Sequence, residues 1–344
     1  MKRLGLWVTL LILILLVYIL KDINFTEVYR LLLKINLLYF FLAVAASFAS
    51  ILLWNLRCQN AMLSYFKGDF WFLLETLLAG IFVNNITPGA SVGGEPVRAY
   101  YIGKKYGKLK TKIFGYIVAE KVLHIIVFFV FLIFSSLFIF KFIHVTQALR
   151  LILEIALVAT IVFASLFAFT LFNKIDFNGD WIARRLYAFK FIRKKFKDIE
   201  KLRIYVKRRV NNFLDSFKEV FINRDRFYYG IFISVATWLV TFLSSYFLFL
   251  ALHVKISFLH VIIGVTFAYL IGDISPIPGG IGVVEGVLFL IYSALGIDPA
   301  VALAVALLSR IIYYFFAFLV GGFCLLHLKH KFSNVKENRK LLKS

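Results

Sequence analysis

The chain has 344 residues, of which 62% are hydrophobic and 17% charged, and its mean hydropathy is +0.87. A soluble domain sits nearer half apolar with about a quarter of its residues charged, so the chain reads as an all-α, polytopic integral membrane protein. Its net charge of +22 does not point to nucleic acid, because the Lys and Arg residues fall between apolar runs, where they read as topology signals and lipid contacts.

The first apolar run, Leu4 to Leu20, follows Met1-Lys2-Arg3 and leads into Lys21-Asp22-Ile23 without a small-residue cleavage site. It reads as a retained span rather than a signal peptide. Further spans are predicted at Leu37 to Leu56, Ile113 to Phe140, Leu149 to Phe172, Phe227 to Leu252 and Val301 to His327, each near or above the ~20 residues that cross ~30 Å of hydrocarbon. Two segments break this pattern, Phe70 to Arg98 and Ile256 to Ile297. The first carries Pro88, Gly93, Gly94 and Glu95; the second carries Asp273, Pro276, Pro278, Gly279, Gly280, Gly282 and Glu285. Irregular backbone at membrane depth is tolerated only where protein buries it or where it lines a cavity, so both segments point to an intramembrane site.

Charge sets their orientation. Arg57 and Lys67, then Arg98 with Lys104, Lys105, Lys108, Lys110 and Lys112, and a linker at 173–226 with sixteen Lys or Arg, form one group of connections. The connections at 21–34, 141–150 and Lys255 together hold six. Placing the first group in the cytoplasm puts both ends of the first broken segment inside and both ends of the second outside. The fold expected is therefore about six full spans plus two re-entrant helical hairpins, in an inverted-topology repeat with halves at about 1–145 and 146–330. Such repeats hold their site at the interface between halves. Both termini fall in the cytoplasm, in a single membrane domain, 1–330, followed by a basic tail, 331–344. Within the linker, apolar residues from Leu186 to Val220 at three- and four-residue spacing predict one or two basic amphipathic helices. These either lie on the anionic leaflet or are solvated and merely enforce topology.

Glu95, Glu120, Lys121, Asp273, Glu285 and Arg310 lie inside apolar surroundings. An ionisable group there costs roughly 3 kcal/mol or more on insertion scales, so each is expected to face a cavity or a partner. Glu120 and Lys121 point about 100° apart and need separate partners. Pairing across the halves, Glu285 with Lys121 or Glu95 with Arg310, is one arrangement, and Arg98 fits either a rim or a cavity. Glycine-rich breaks expose backbone N–H groups that favour an anion, and Lys121 and Arg310 add charge-assisted bonds to phosphate or carboxylate. Cys58 and Cys324 have no C-x-x-C partner, and His327 and His330 sit in a basic helix end, so no disulfide framework, metal or cofactor is predicted.

The element Pro276-Ile-Pro-Gly-Gly-Ile-Gly-Val-Val-Glu285, followed by Leu295-Gly-Ile and Ser309-Arg310, resembles the C-terminal signature of the lysylphosphatidylglycerol synthase transmembrane region family, UPF0104. Pro88, Gly94-Glu95, Arg98 and Glu120-Lys121 resemble its N-terminal signature. In bifunctional relatives this region is the flippase part, and a separate soluble domain transfers the aminoacyl group. Where the family pattern has Glu-Arg followed by Asp, this chain has Glu120-Lys121 and His124, a point charge in place of a planar fork. The sequence ends at Ser344, soon after the last span, so the synthase domain is expected to be absent. The resemblance implies a lipid translocase of the cell membrane, not an enzyme, that moves a polar or anionic, aminoacylated or polyprenyl-linked head group between leaflets. Its partners are membrane lipids and, in one variant, a separately encoded transferase. The alternative is an integral-membrane enzyme or accessory subunit acting on a lipid-linked substrate.

Overall fold

The computed structural model describes residues 25–87, 93–142, 158, 180–196, 198–275 and 277–341. Two predicted spans, Leu4 to Leu20 and nearly all of Leu149 to Phe172, lie outside these residues, as do Pro88 and Pro276. Among the described residues there is no strand. The first half contains α1 (Phe25–Leu33), α2 (Leu37–Met62), α3 (Phe70–Ile86), α4 (Gly94–Tyr106) and α5 (Lys110–Phe142). A linker of α6 (Asp180–Tyr187), α7 (Lys190–Lys195) and α8 (Ile199–Ile222) leads into α9 (Arg224–Ala251), α10 (Phe258–Ile274), α11 (Val283–Ala294), α12 (Pro299–Tyr314) and α13 (Gly321–Leu341).

Among the described residues, four helical runs are long and apolar enough to cross a membrane: α2, α5, α9 and the continuous stretch Pro299–Ser333. The 26 residues of α2 rise about 39 Å. By contrast, α3 and α10 have 17 residues each, about 25 Å, and α11 has 12, about 18 Å. These short helices are the arms of the two predicted hairpins. The first return arm runs on to Tyr106, past the predicted end at Arg98, because nothing breaks the helix before Gly107 adopts φ +63°.

Local chemistry sets the starts. Asn36, Asp69, Asn223 and Asp298 each accept backbone N–H bonds as N-caps, and Pro299 follows Asp298 at the first helical position. Between α12 and α13, residues Phe315–Val320 form a π-helical turn, which lets the two pieces of one long helix present different faces.

Helices α2 and α9 run antiparallel along their length. The Asn36 N–H donates to the Ala251 carbonyl (2.8 Å), Ser244 Oγ donates to the Ala43 carbonyl (2.9 Å), and Asn60 exchanges side chain–backbone bonds with Arg226 (3.1 and 2.7 Å). Partners then recur in the two halves: α3 packs on α4 and α13, and α4 on α5; α10 packs on α11 and α5, and α11 on α12. Two main cores result, one built around Cys58, Phe72, Ile102, Ile117 and Leu123, the other around Trp238, Phe249, Val265, Tyr292 and Val305.

The linker differs from its expected form. Its described residues form three helices, and the apolar stripe of α8 turns mostly toward protein. Leu202 and Val206 pack on Ala183 of α6, while Val220, Phe217 and Phe221 join the first core on α5. Gly115 makes room for this contact, since a Cβ there would lie 2.5 Å from the Phe213 carbonyl oxygen. Tyr116 of α5 donates to the Glu219 carboxylate.

Candidate functional site

The predicted charges converge as pairs within each half. Glu95, in the first turn of α4, bonds Lys121 of α5 at 2.8 Å. Glu285, in the first turn of α11, bonds Arg310 of α12 at 3.2 Å. The partners are 26 residues apart in one half and 25 in the other. The cross-half pairings offered by the sequence, Glu285 with Lys121 and Glu95 with Arg310, are not among the ion pairs of the described residues. Each carboxylate begins a return helix that packs directly on the helix carrying its cation, so the nearest countercharge belongs to the same half.

Arg310 is held from several sides. Its Nη2 donates to the Gly279 carbonyl and to the Tyr314 hydroxyl (3.0 Å), and its guanidinium lies 4.7 Å from the ring centroids of Tyr313 and Tyr314. The Tyr314 hydroxyl donates to Glu285 Oε1 at 3.4 Å. Pro278 opens a single 3₁₀ turn, and Gly279, Gly280 and Gly282 follow at φ +65°, +61° and +80°, a conformation that favours glycine.

A third cluster lies deeper. Glu120, fully buried, accepts from Arg57 Nε (2.8 Å), Arg98 Nη1 (3.3 Å) and Trp54 Nε1 (3.0 Å). Arg57 Nη1 meets His124 Nδ1 at 3.0 Å and Ser234 Oγ at 3.3 Å. A guanidinium only donates, so Nδ1 of His124 is the acceptor; the imidazole stacks on Trp238 with centroids 4.7 Å apart. Arg98 Nη2 donates to Cys58 Sγ at 2.9 Å. Arg98 is therefore a buried partner rather than a rim charge. Arg57, counted from sequence as a loop residue, sits inside α2, which continues to Met62. Glu120 and Lys121 do face separate partners.

The hairpin starts qualify another expectation. At least one backbone N–H at each start is already taken by a side chain: the Gly94 N–H donates to Asn84 Oδ1 (2.6 Å), and the Gly282 N–H donates to Glu285 Oε2 (2.9 Å). A Cβ at Gly94 would collide with the Gly80 carbonyl, and one at Gly93 with the Thr87 side chain, so the arms of the first hairpin touch backbone to backbone.

The halves meet at Asn85. Its Oδ1 accepts from the Tyr313 hydroxyl (3.0 Å), and the same atom would lie 2.8 Å from a Cβ at Gly279. Asp273 of α10 is exposed, and the Lys121 side chain keeps 29% of its surface accessible. Lys121, on the accessible side of its pair with Glu95, and Asp273 thus offer charges of opposite sign from the two halves. Glu95 Oε2 and Arg98 Nε are buried without a hydrogen-bond partner among the described residues. No cluster of three or more His, Cys, Asp or Glu suited to a metal occurs among the described residues.

Sequence reasoning missed Trp54, Arg57, Asn84, Asn85, Tyr313 and Tyr314. Signals existed for four of them. Asn84-Asn85 closes an apolar helix just before the break, and Tyr313 and Tyr314 stand three and four residues after Arg310, on its own helix face.

The paired charges at matched spacing agree with similarity along the whole chain. The profile of the family described as "Lysylphosphatidylglycerol synthase TM region" matches residues 4–321. The chain belongs to this family. Similar curated relatives are UPF0104 membrane proteins. One from Pyrococcus horikoshii is 28% identical over 322 residues, covering 92% of this chain and 91% of the relative. One from Methanothermobacter thermautotrophicus is 27% identical, covering 84% and 85%. One from Methanocaldococcus jannaschii is 30% identical, covering 79% of each. As a member of the lysylphosphatidylglycerol synthase TM region family, the chain is an all-α membrane protein, and its recurring carboxylate–cation pairs lie in the part that the family match covers.

Proposed function

We propose that this protein is a lipid translocase that carries a polar or anionic head group past the two hairpins while the acyl or isoprenoid tails stay in the bilayer. The observation that carries the reading is the recurrence of one device in both halves, a carboxylate at the start of a return helix paired to a cation 26 or 25 residues later. With the antiparallel run of α2 against α9, it supports an inverted repeat, the architecture in which one half rocks against the other around a fixed site. Lys121 and Asp273 supply accessible charges of opposite sign, suited to a head group that carries a phosphate, alone or with an amine. Membership of the family supports a lipid-related role, and the cytoplasmic placement of both termini follows from the basic loops.

The test uses purified protein in lipid vesicles and a panel of labelled lipids: anionic, zwitterionic, aminoacylated and polyprenyl phosphate. The expected result is leaflet exchange faster than in empty vesicles for at least one of these, and its loss in Arg310→Ala. Exchange at the empty-vesicle rate across the panel, by protein shown to be folded, counts against the reading. Chemical conversion of a lipid by the protein alone would favour an enzyme instead.

A further inference from the structure

The matched pairs hide an inequality between the halves. Counted from the paired carboxylates, Arg98, three residues after Glu95, corresponds to Leu288, three after Glu285. Counted from the paired cations, Glu120 beside Lys121 corresponds to Ser309 beside Arg310. The first hairpin's return helix, α4, is therefore tied to α2 and α5 by the buried Arg57–Glu120–Arg98 cluster. At the same level in the second half, Leu288 makes apolar contacts and Ser309 bonds the Ala306 carbonyl of its own helix (2.7 Å).

Arms α3 and α4 meet where a Cβ at Gly94 would strike the Gly80 backbone. The second tip contains three glycines at positive φ and is fastened through Arg310, which is 10% exposed and paired with a Glu285 that is 14% exposed. Releasing α11 parts Glu285 from Arg310 and the Tyr314 hydroxyl, all partly exposed. Releasing α4, by contrast, parts Glu95 from Lys121 and also takes Arg98 out of a cluster of three buried charges, and in a low-dielectric interior each charge left unpaired is strongly penalised.

We propose that Arg57 is a positioning residue that, through Glu120, holds the first hairpin as a fixed wall of the site, so that the second tip and α11 (residues 277–294) form the part that moves. The proposal rests on the translocase reading for its purpose, but not for its test.

That test is hydrogen–deuterium exchange read by mass spectrometry on the full chain in lipid nanodiscs. Local opening free energies set exchange rates, so amides of 283–294 are expected to exchange about 10-fold or more faster than those of 94–106. Glu285→Gln should raise exchange in 277–294 and leave 94–106 unchanged. Arg57→Gln should raise exchange in 94–106, with no comparable rise in 277–294, an effect that a general loss of fold would not produce. Equal protection of the two return helices, or faster opening of 94–106 in the wild type, overturns the proposal. If Arg57→Gln does not fold, the wild-type and Glu285→Gln comparison still decides. Protein that moves no lipid yet shows this exchange pattern keeps the proposal and loses the translocase reading; the converse result does the reverse.

Discussion

Glu120 illustrates how one carboxylate can organise a membrane-embedded neighbourhood. Three donors from two helices, the guanidinium groups of Arg57 and Arg98 and the indole of Trp54, converge on its two oxygens. Glu120→Gln leaves two buried guanidinium groups with a neutral partner. Breaking a buried ionic group from one side costs roughly 3–5 kcal/mol. The expected outcome is a clear fall in the thermal unfolding midpoint in detergent, checked by scanning fluorimetry. Arg310→Lys is expected to act differently. Lysine keeps the charge but cannot serve Glu285, the Gly279 carbonyl and the Tyr314 hydroxyl at once, so leaflet exchange should drop about 10-fold while the unfolding midpoint moves little. Most of these residues were legible one at a time, because a charge inside an apolar run announces itself. Arg57 was not, because one arginine near the end of an apolar stretch reads equally well as a loop anchor. Only the six further residues of α2, which carry the helix to Met62, reveal that it is enclosed.

At the scale of elements, the two hairpins were visible in sequence because proline, glycine and carboxylate clustered where spans should have been continuous. Their packing was not visible. The apolar stripe of α8 looked like a membrane anchor, yet it covers α5 and α6, since periodicity reveals a buried face but not what buries it. The same limit explains why the sequence left open whether the charges pair within or across the halves. The close arms of the hairpins give sharp tests. In Gly94→Ala the new methyl meets the Gly80 backbone, which cannot rotate away, so the variant should lose folded yield on size-exclusion chromatography. Gly107→Ala, at φ +63° with open space around it, should cost only about 1 kcal/mol. In the second hairpin, a Cβ at Gly272 would lie 3.9 Å from that of Val284, within the usual disulfide range. Gly272→Cys with Val284→Cys should therefore cross-link on oxidation, and leaflet exchange should stop until a reductant is added.

For the whole molecule, composition alone settled the class, and the spacing of broken segments anticipated the recurring partners of α3, α4, α10 and α11. Sidedness is open to direct measurement. A single cysteine replacing Leu109, in the exposed connection between α4 and α5, should react with an impermeant thiol reagent only from the cytoplasmic face. One replacing Lys255, between α9 and α10, should react only from the opposite face. The test requires Cys58 and Cys324 to be changed first, and Cys58 is buried against Arg98, so serine or alanine must be shown to preserve folding there. Labelling of both positions from one side would remove the inverted repeat and the transport cycle built on it.

The π-helical turn at Phe315–Val320 has a genetic corollary. Above it, Arg310, Tyr313 and Tyr314 are aimed at Glu285 and Asn85; below it, His327 reaches Glu75 on α3 at 2.6 Å and Gly321 nests against Leu78. A wide turn of this kind accommodates one surplus residue in an α-helical frame. Excising Leu319, whose side chain is 66% exposed, would remove that surplus and leave a regular α-helix whose flanks keep their facing. A codon deletion at this one place should thus leave Arg310 on Glu285 and His327 on Glu75, whereas loss of a residue from the regular turns of α12 would rotate everything downstream by about 100°.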